Sequence, residues 1–191
     1  QIIAGMQWAA RPYDAEGNPA GEPADVINIS LGAVGHYDEF IEPTRNLYLA
    51  GIFPSFAIGN NCLGGSSSPG NVYEAVGVGA TDNRDDVALF SCGDVIDKTD
   101  WVNPPADWPK SWVVPDISAP GVDVTSSIPG GKYRSLSGTS MAAPHVSGTV
   151  ALMLQGRSNL SVDETLQALK DTSFFDDRYG SDRPNPRYGW G

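Results

Sequence analysis

With 191 residues, 40% of them hydrophobic and 18% charged, the sequence can bury the core of one domain and is too apolar for a disordered chain. Its 23 acidic against 12 basic residues give a formal charge of -11, a field that repels phosphate backbones and anionic bilayers, so neither a nucleic acid nor a membrane is expected as a partner. No run reaches the ~20 apolar residues of a membrane-spanning helix, and the acidity reads as the solvated surface of a secreted protein.

The first ten residues place apolar side chains at 2, 3, 6 and 9 or 10, one face of a helix, without the basic leader or cleavage pattern of a signal peptide. Residues 11–24, rich in Pro, Gly, Asp and Glu, read as a surface connection. Asp25-Val26-Ile27-Asn28-Ile29-Ser30-Leu31-Gly32 is short, apolar, β-branched and closed by glycine, the pattern of a buried parallel strand. Residues 39–50 read as a helix stopped by Gly51, and residues 52–58 as the next strand, ending in Gly59-Asn60. A third strand, 75–80, alternates Gly or Ala with Val and so invites close approach by other backbone. Short strands separated by helix-length connections predict an α/β fold with a mostly parallel sheet.

Residues 93–115, with Trp101, Trp108 and Trp112, read as a long loop that either widens a binding surface or covers core. Residues 116–121 and 122–128 look like two short strands around a turn. The stretch 138–155 is small and apolar enough for a buried helix, with Pro144 near its first turns where proline does least harm. The last helix, 161–169, opens with a capping box, Ser161-Val162-Asp163-Glu164.

Chemistry concentrates in Gly138-Thr139-Ser140-Met141-Ala142-Ala143-Pro144-His145-Val146-Ser147-Gly148, a glycine-led turn that delivers a serine to a helix start. Unpaired N–H groups and partial positive charge at a helix N-terminus stabilise an oxyanion forming beside the serine hydroxyl. This stretch resembles the nucleophile motif of the subtilisin-like serine proteases. Three more blocks resemble that family in the same order: the strand ending Ser30-Leu31-Gly32, the segment Ala57-Ile58-Gly59-Asn60, and Ile117-Ser118-Ala119-Pro120-Gly121.

The resemblance covers about Ile2 to Tyr188 and implies a three-layer α/β sandwich and a serine endopeptidase. In it Ser140 attacks the scissile carbonyl, and the Asn60 side chain with the Ser140 backbone N–H holds the oxyanion. The Ala-x-Gly-Asn pattern selects Asn60 over Asn61. Ser30, Leu31 and Gly32 would bind the polypeptide substrate as an added strand, with Ala57, Ile58 and Gly59 lining the pocket for the residue before the cut. That pocket is expected to be open and apolar.

A serine nucleophile needs a base, which the family supplies as a histidine oriented by an aspartate. Neither His-Gly-Thr-His nor Asp-Ser/Thr-Gly occurs here. At ~100° per residue, His145 points about 140° away from Ser140 on one helix and cannot reach it; His36 reads as a surface residue. The sequence is therefore expected to be one partial peptidase domain, 1–191, truncated at its N-terminus and inactive by itself, its partner being the N-terminal part of the same domain. Its exposed strand edges predict self-association. The competing reading is a non-catalytic peptide-binding pseudoprotease. A Gly-x-Ser-x-Gly esterase elbow does not fit Gly-Thr-Ser-Met-Ala.

No cofactor is required for this chemistry. Calcium is common in the family, but no acidic cluster has a convincing ligand spacing, and no metal site is assigned. The two cysteines, Cys62 and Cys92, permit one disulfide beside Asn60, or two buried thiols. Met141, next to the nucleophile, predicts sensitivity to oxidants.

Overall fold

The computed structural model describes residues 1–60, 64–175 and 177–191. In chain order the first half runs α1 (Ile2–Ala10), β1 (Val26–Ile29), β2 (Ala33–Val34), α2 (Ile41–Leu49), β3 (Phe53–Ala57), β4 (Ser67–Ser68) and β5 (Val76–Thr81). The second half runs β6 (Asp94–Asp97), β7 (Ser111–Val114), β8 (Ile117–Pro120), β9 (Val124–Ile128), β10 (Lys132–Leu136), α3 (Thr139–Gly156) and α4 (Val162–Thr172).

Strands β1, β3, β5 and β8 form one parallel sheet in that spatial order, in register through Val26 with Phe53, Ser55 with Val76 and Val78 with Ile117. Side chains alternate across a strand, so β3 feeds two cores. Phe53 and Ala57 pack with Val78, Ile117, Ala142, Val146 and Val150 on the α3 side, and Ser55 Oγ donates to the Ala143 carbonyl there (3.1 Å). Phe56 and Ile58 pack with Met6, Ile41 and Leu47 on the α1–α2 side. Each fully buried phenylalanine contributes about 1.5–3 kcal/mol. The result is the helix–sheet–helix α/β sandwich. Beyond β1, on the outer edge of the sheet, no described strand pairs.

Residues 93–115 are not the structureless loop their composition suggests. Strands β6 and β7 pair antiparallel, Asp94 opposite Val114 and Asp97 opposite Ser111, and a 3₁₀ turn, Lys98–Asp100, opens their connection with its own capping box on Asp97. The tryptophans explain why this arm closes. Trp101 and Trp108 are 4% and 5% exposed and belong to the core under α1 and α2. Trp108 meets Trp101, Trp112 and Tyr73 edge-on at 5.3, 5.1 and 6.2 Å. His36, expected at the surface, is instead half-buried with its ring edge-on to Trp101 at 5.1 Å. The arm covers core.

The C-terminal segment straps back onto the sheet: Trp190 N–H donates to the Asp116 carbonyl, Ser118 N–H to Gly191, and Ser118 Oγ to Tyr188. At this anchor the Asp116 carboxyl accepts from Gly77 N–H (2.9 Å) and lies 3.7 Å from Lys170 Nζ. Burial outweighs both partners and pushes Asp116 up to about 6. A carboxyl raised in the folded state binds its proton more tightly there, so this group's contribution to stability is greatest below pH ~4 and falls as pH rises through 6. Asp116→Asn is expected to abolish that fall, an effect of at most about 3 kcal/mol. Urea denaturation of both proteins between pH 4 and 8 reads it; parallel curves would refute it.

Candidate active site

Helix α3 begins at Thr139, with Gly138 as its N-cap, and sets Ser140 in its first turn at the carboxyl ends of β1 and β3. Across from it, β1 ends at Ile29, just before Ser30, and β3 at Ala57. Ser140 Oγ donates to the Ser30 carbonyl (2.9 Å), and Ser30 Oγ donates to the Ser140 carbonyl (2.8 Å). Ser140 and the strand expected to bind substrate are thus in direct contact, though 110 positions apart.

Asn60 is fixed through its oxygen. Thr139 N–H and Thr139 Oγ both donate to Asn60 Oδ1, at 2.9 and 3.2 Å, and Thr139 Oγ accepts from Gly59 N–H at 3.2 Å. With Oδ1 committed to Thr139, the donor side of the amide is Nδ2, the polarity an oxyanion needs. Asn60 itself pairs with Ser91 in an isolated antiparallel bridge, and Cys92 N–H donates to the Gly59 carbonyl (3.1 Å). Behind that wall, the Arg187 guanidinium donates to the carbonyls of Ser91 (3.1 Å) and Ala88 (3.4 Å), tying the C-terminal strap to the back of the site.

A cavity of about 160 Å³ opens between these elements, lined by Leu31, Gly32, Val34, Ala57, Gly59, Asn60, Ser67, Thr139 and Ser140. Of the residues expected to bind substrate, Leu31, Gly32, Ala57 and Gly59 line it. Ile58 does not line it: the strand alternation that faces Ala57 and Gly59 to the cavity sends Ile58 into the α1–α2 core, fully buried. Ser30 touches Ser140 rather than the cavity. Two glycines are obligatory. Gly59 has φ +111°, and a Cβ there would collide with Ser67 Oγ; a Cβ at Gly32 would sit 2.8 Å from the Ser68 carbonyl oxygen. Ser67, 3% exposed, therefore stands between the two walls, and the cavity is smaller and more polar than an open apolar slot.

Val34, Ser67 and Thr139 were not singled out from sequence. Thr139 had a local signal, adjacency to Ser140; Ser67, in a run of three serines, had none, because only the fold brings it to Gly32 and Gly59. His145 is exposed and its Nδ1 pairs with the Met141 carbonyl at 2.8 Å, so its ring stays on the far side of α3 from Ser140. Among the described residues no group of three or more His, Cys, Asp or Glu is gathered to hold a metal ion, and no helix is long and apolar enough to cross a membrane. Cys62 and Asn61 lie outside the described residues; Cys92 is not a free thiol.

The α/β sandwich that carries this serine and asparagine is a fold shared with a solved protease. A protease structure from Pseudoalteromonas arctica superposes with a TM-score of 0.77 at 26% identity, covering all of this chain and 55% of that one. The family model described as the subtilase family matches residues 1–191, and the chain belongs to that family. Bacillopeptidase F of Bacillus subtilis is 39% identical over 206 residues, covering all of this chain and 13% of that protein. The thermophilic serine proteinase of a Bacillus species is 34% identical over 153 residues (80% of this chain, 34% of that protein), and subtilisin DY of Bacillus licheniformis 30% over 176 (90% and 54%). The chain thus spans at most about half of each of these relatives.

Proposed function

We propose that this chain supplies the nucleophile and oxyanion half of a secreted serine endopeptidase that cuts polypeptides. Ser140 attacks the scissile carbonyl; the tetrahedral oxyanion is held by Asn60 Nδ2 and the Ser140 N–H at the positive end of α3. The observation that carries this reading is the double donation from Thr139 to Asn60 Oδ1, which turns a donor, not an acceptor, to the reacting carbonyl. A module that only held peptides has no use for that arrangement, which weighs against the pseudoprotease reading. No cofactor takes part in the chemistry.

Among the described residues no histidine stands within reach of Ser140 Oγ, whose proton rests on the Ser30 carbonyl. The base and its aspartate are therefore contributed by a further segment, for which the outer edge of β1 and the exposed α3 face of Pro144, His145, Gly148 and Leu152 (70% exposed) are the docking surface. A fluorophosphonate probe tests the function. The chain alone labels Ser140 slowly, and the chain completed by the upstream part of its parent protein labels at least ~100-fold faster, the scale of general-base assistance. Equal rates would remove the reading. Light scattering of the chain alone is expected to show concentration-dependent association through the open edge, and a monomer at all concentrations would count against this docking surface.

The small cavity selects the residue before the cut. With Ser67 as its floor, it suits a short side chain, and Ser67→Gly is expected to raise kcat/KM for a large apolar residue there by about 10- to 100-fold relative to alanine. Peptide substrates that differ only at that position measure this; an unchanged preference would place the pocket elsewhere.

A further inference from the structure

Helix α3 contains Pro144, and a proline inside a helix has no N–H for the carbonyl four residues back. That carbonyl belongs to Ser140. The nucleophile's own C=O is thus deprived of its helical partner in the first turns of the helix, where it would face the interior beside β1. The structure fills the vacancy from outside: Ser30 Oγ donates to the Ser140 carbonyl at 2.8 Å. Ser30 Oγ is itself oriented, accepting from Asn28 Nδ2 at 2.9 Å, and Asn28 Oδ1 accepts from Ser147 Oγ (3.2 Å), which also donates to the Ala143 carbonyl (3.0 Å). The chain Ser147–Asn28–Ser30–Ser140 brackets Pro144 on both sides and links α3 to the end of β1.

We infer that the Ser30 hydroxyl is a positioning residue for the nucleophile, and that Pro144 makes it necessary. An ordinary helix would hold the Ser140 carbonyl with its own N–H and fix Ser140 relative to α3 alone. Here the carbonyl is fixed to β1, so the serine keeps its distance from the strand that would carry the substrate rather than from the rest of its helix. The role is separate from the backbone of residues 30–32, which would bind the substrate strand whatever the side chain at 30. It rests on the protease reading for its kinetic consequence, and on hydrogen bonds of the chain itself for its structural one.

The test is a double-mutant cycle in the completed domain, with rates normalised to titrated active sites. Ser30→Ala leaves a part-buried carbonyl without its side-chain donor and is expected to lower kcat about 10-fold or more, with KM within about twofold, because the substrate strand is held by backbone. Ser30→Thr, which keeps the hydroxyl, restores most of the loss. Pro144→Ala gives the helix back the missing N–H, so in that background Ser30→Ala is expected to cost no more than about twofold. Equal losses in both backgrounds, or a loss confined to KM, would overturn the inference. Hydrogen exchange on the isolated chain decides it without activity: Ser30→Ala should speed exchange of the first-turn amides of α3 about 10-fold, leave α4 unchanged, and be reversed by Pro144→Ala. Unaltered first-turn exchange would sink the positioning role, whereas failure of the wild-type completed domain to hydrolyse any peptide would sink only the protease reading.

Discussion

Asn60→Ala in the completed domain is expected to lower kcat by about 100- to 1000-fold with KM nearly unchanged, a range carried over from subtilisin's own oxyanion asparagine rather than worked out from this geometry. The physical basis is differential: the amide donor meets full negative charge only in the tetrahedral state, so its removal raises the barrier without weakening the ground-state complex. Thr139 sharpens the prediction. Its N–H and hydroxyl hold Asn60 Oδ1, and Thr139→Val, which keeps the shape and removes only the hydroxyl, is expected to cost about 10-fold through a looser amide. Asn60→Asp keeps the acceptor that takes both Thr139 donors but sets a carboxylate against the oxyanion, and should fall below Asn60→Ala. Steady-state kinetics normalised by active-site titration separate these cases. An Asn60→Ala enzyme with wild-type kcat would show that the oxyanion is held elsewhere.

Trp108→Ala is expected to destabilise the fold by about 3–5 kcal/mol, the scale of emptying a buried aromatic site. Three aromatic neighbours lose their partner at once, and so does a carboxylate. Trp108 Nε1 donates to Glu74 Oε1 at 2.9 Å, Arg45 reaches the same oxygen at 3.4 Å, and burial already holds the Glu74 carboxyl above its ordinary range. Removing the indole takes away a donor that favours the charged form of Glu74. Chemical denaturation measures the loss; Trp112→Ala, at a half-buried position, serves as the milder comparison. A loss below about 1 kcal/mol for Trp108 would mean that the β6–β7 arm is an ornament rather than a part of the core.

What could be read from the sequence was whatever repeats with a local period or follows a local chemical rule. The apolar runs at 52–58 and 75–80 became β3 and β5, the small apolar stretch after Gly138 became α3, and Ser161 with Glu164 formed the expected reciprocal cap of α4. The β6–β7 arm was hidden because its strands are four residues each, far apart in sequence, and joined by a Pro- and Trp-rich segment whose order comes from ring-on-ring packing. Strand β10 was hidden for the opposite reason: all five of its residues are exposed, so no alternation marks it, and the turn Pro129-Gly130-Gly131 before it was not read as a hairpin. In the candidate site, Ser140 and Asn60 were singled out from their own segments, and the fold brings both to one cavity. Ser67 and the Ser30 hydroxyl were not, since each acquires its role from a partner distant in the chain. Pro144 was legible as a tolerated helix breaker, but the carbonyl it orphans matters only once β1 is beside it.

The distance in sequence between Ser30 and Ser140 also bears on how the molecule comes to exist. Contacts across 110 positions close large loops, and an all-parallel sheet closes nothing through short hairpins, so folding should be slow for a chain of this size. Synthesis presents β1 before α3, leaving the strand and its open edge to wait. Until α3 docks, Ser140 is an ordinary serine on an unanchored helix, so the proposed chemistry would be among the last properties the nascent domain acquires.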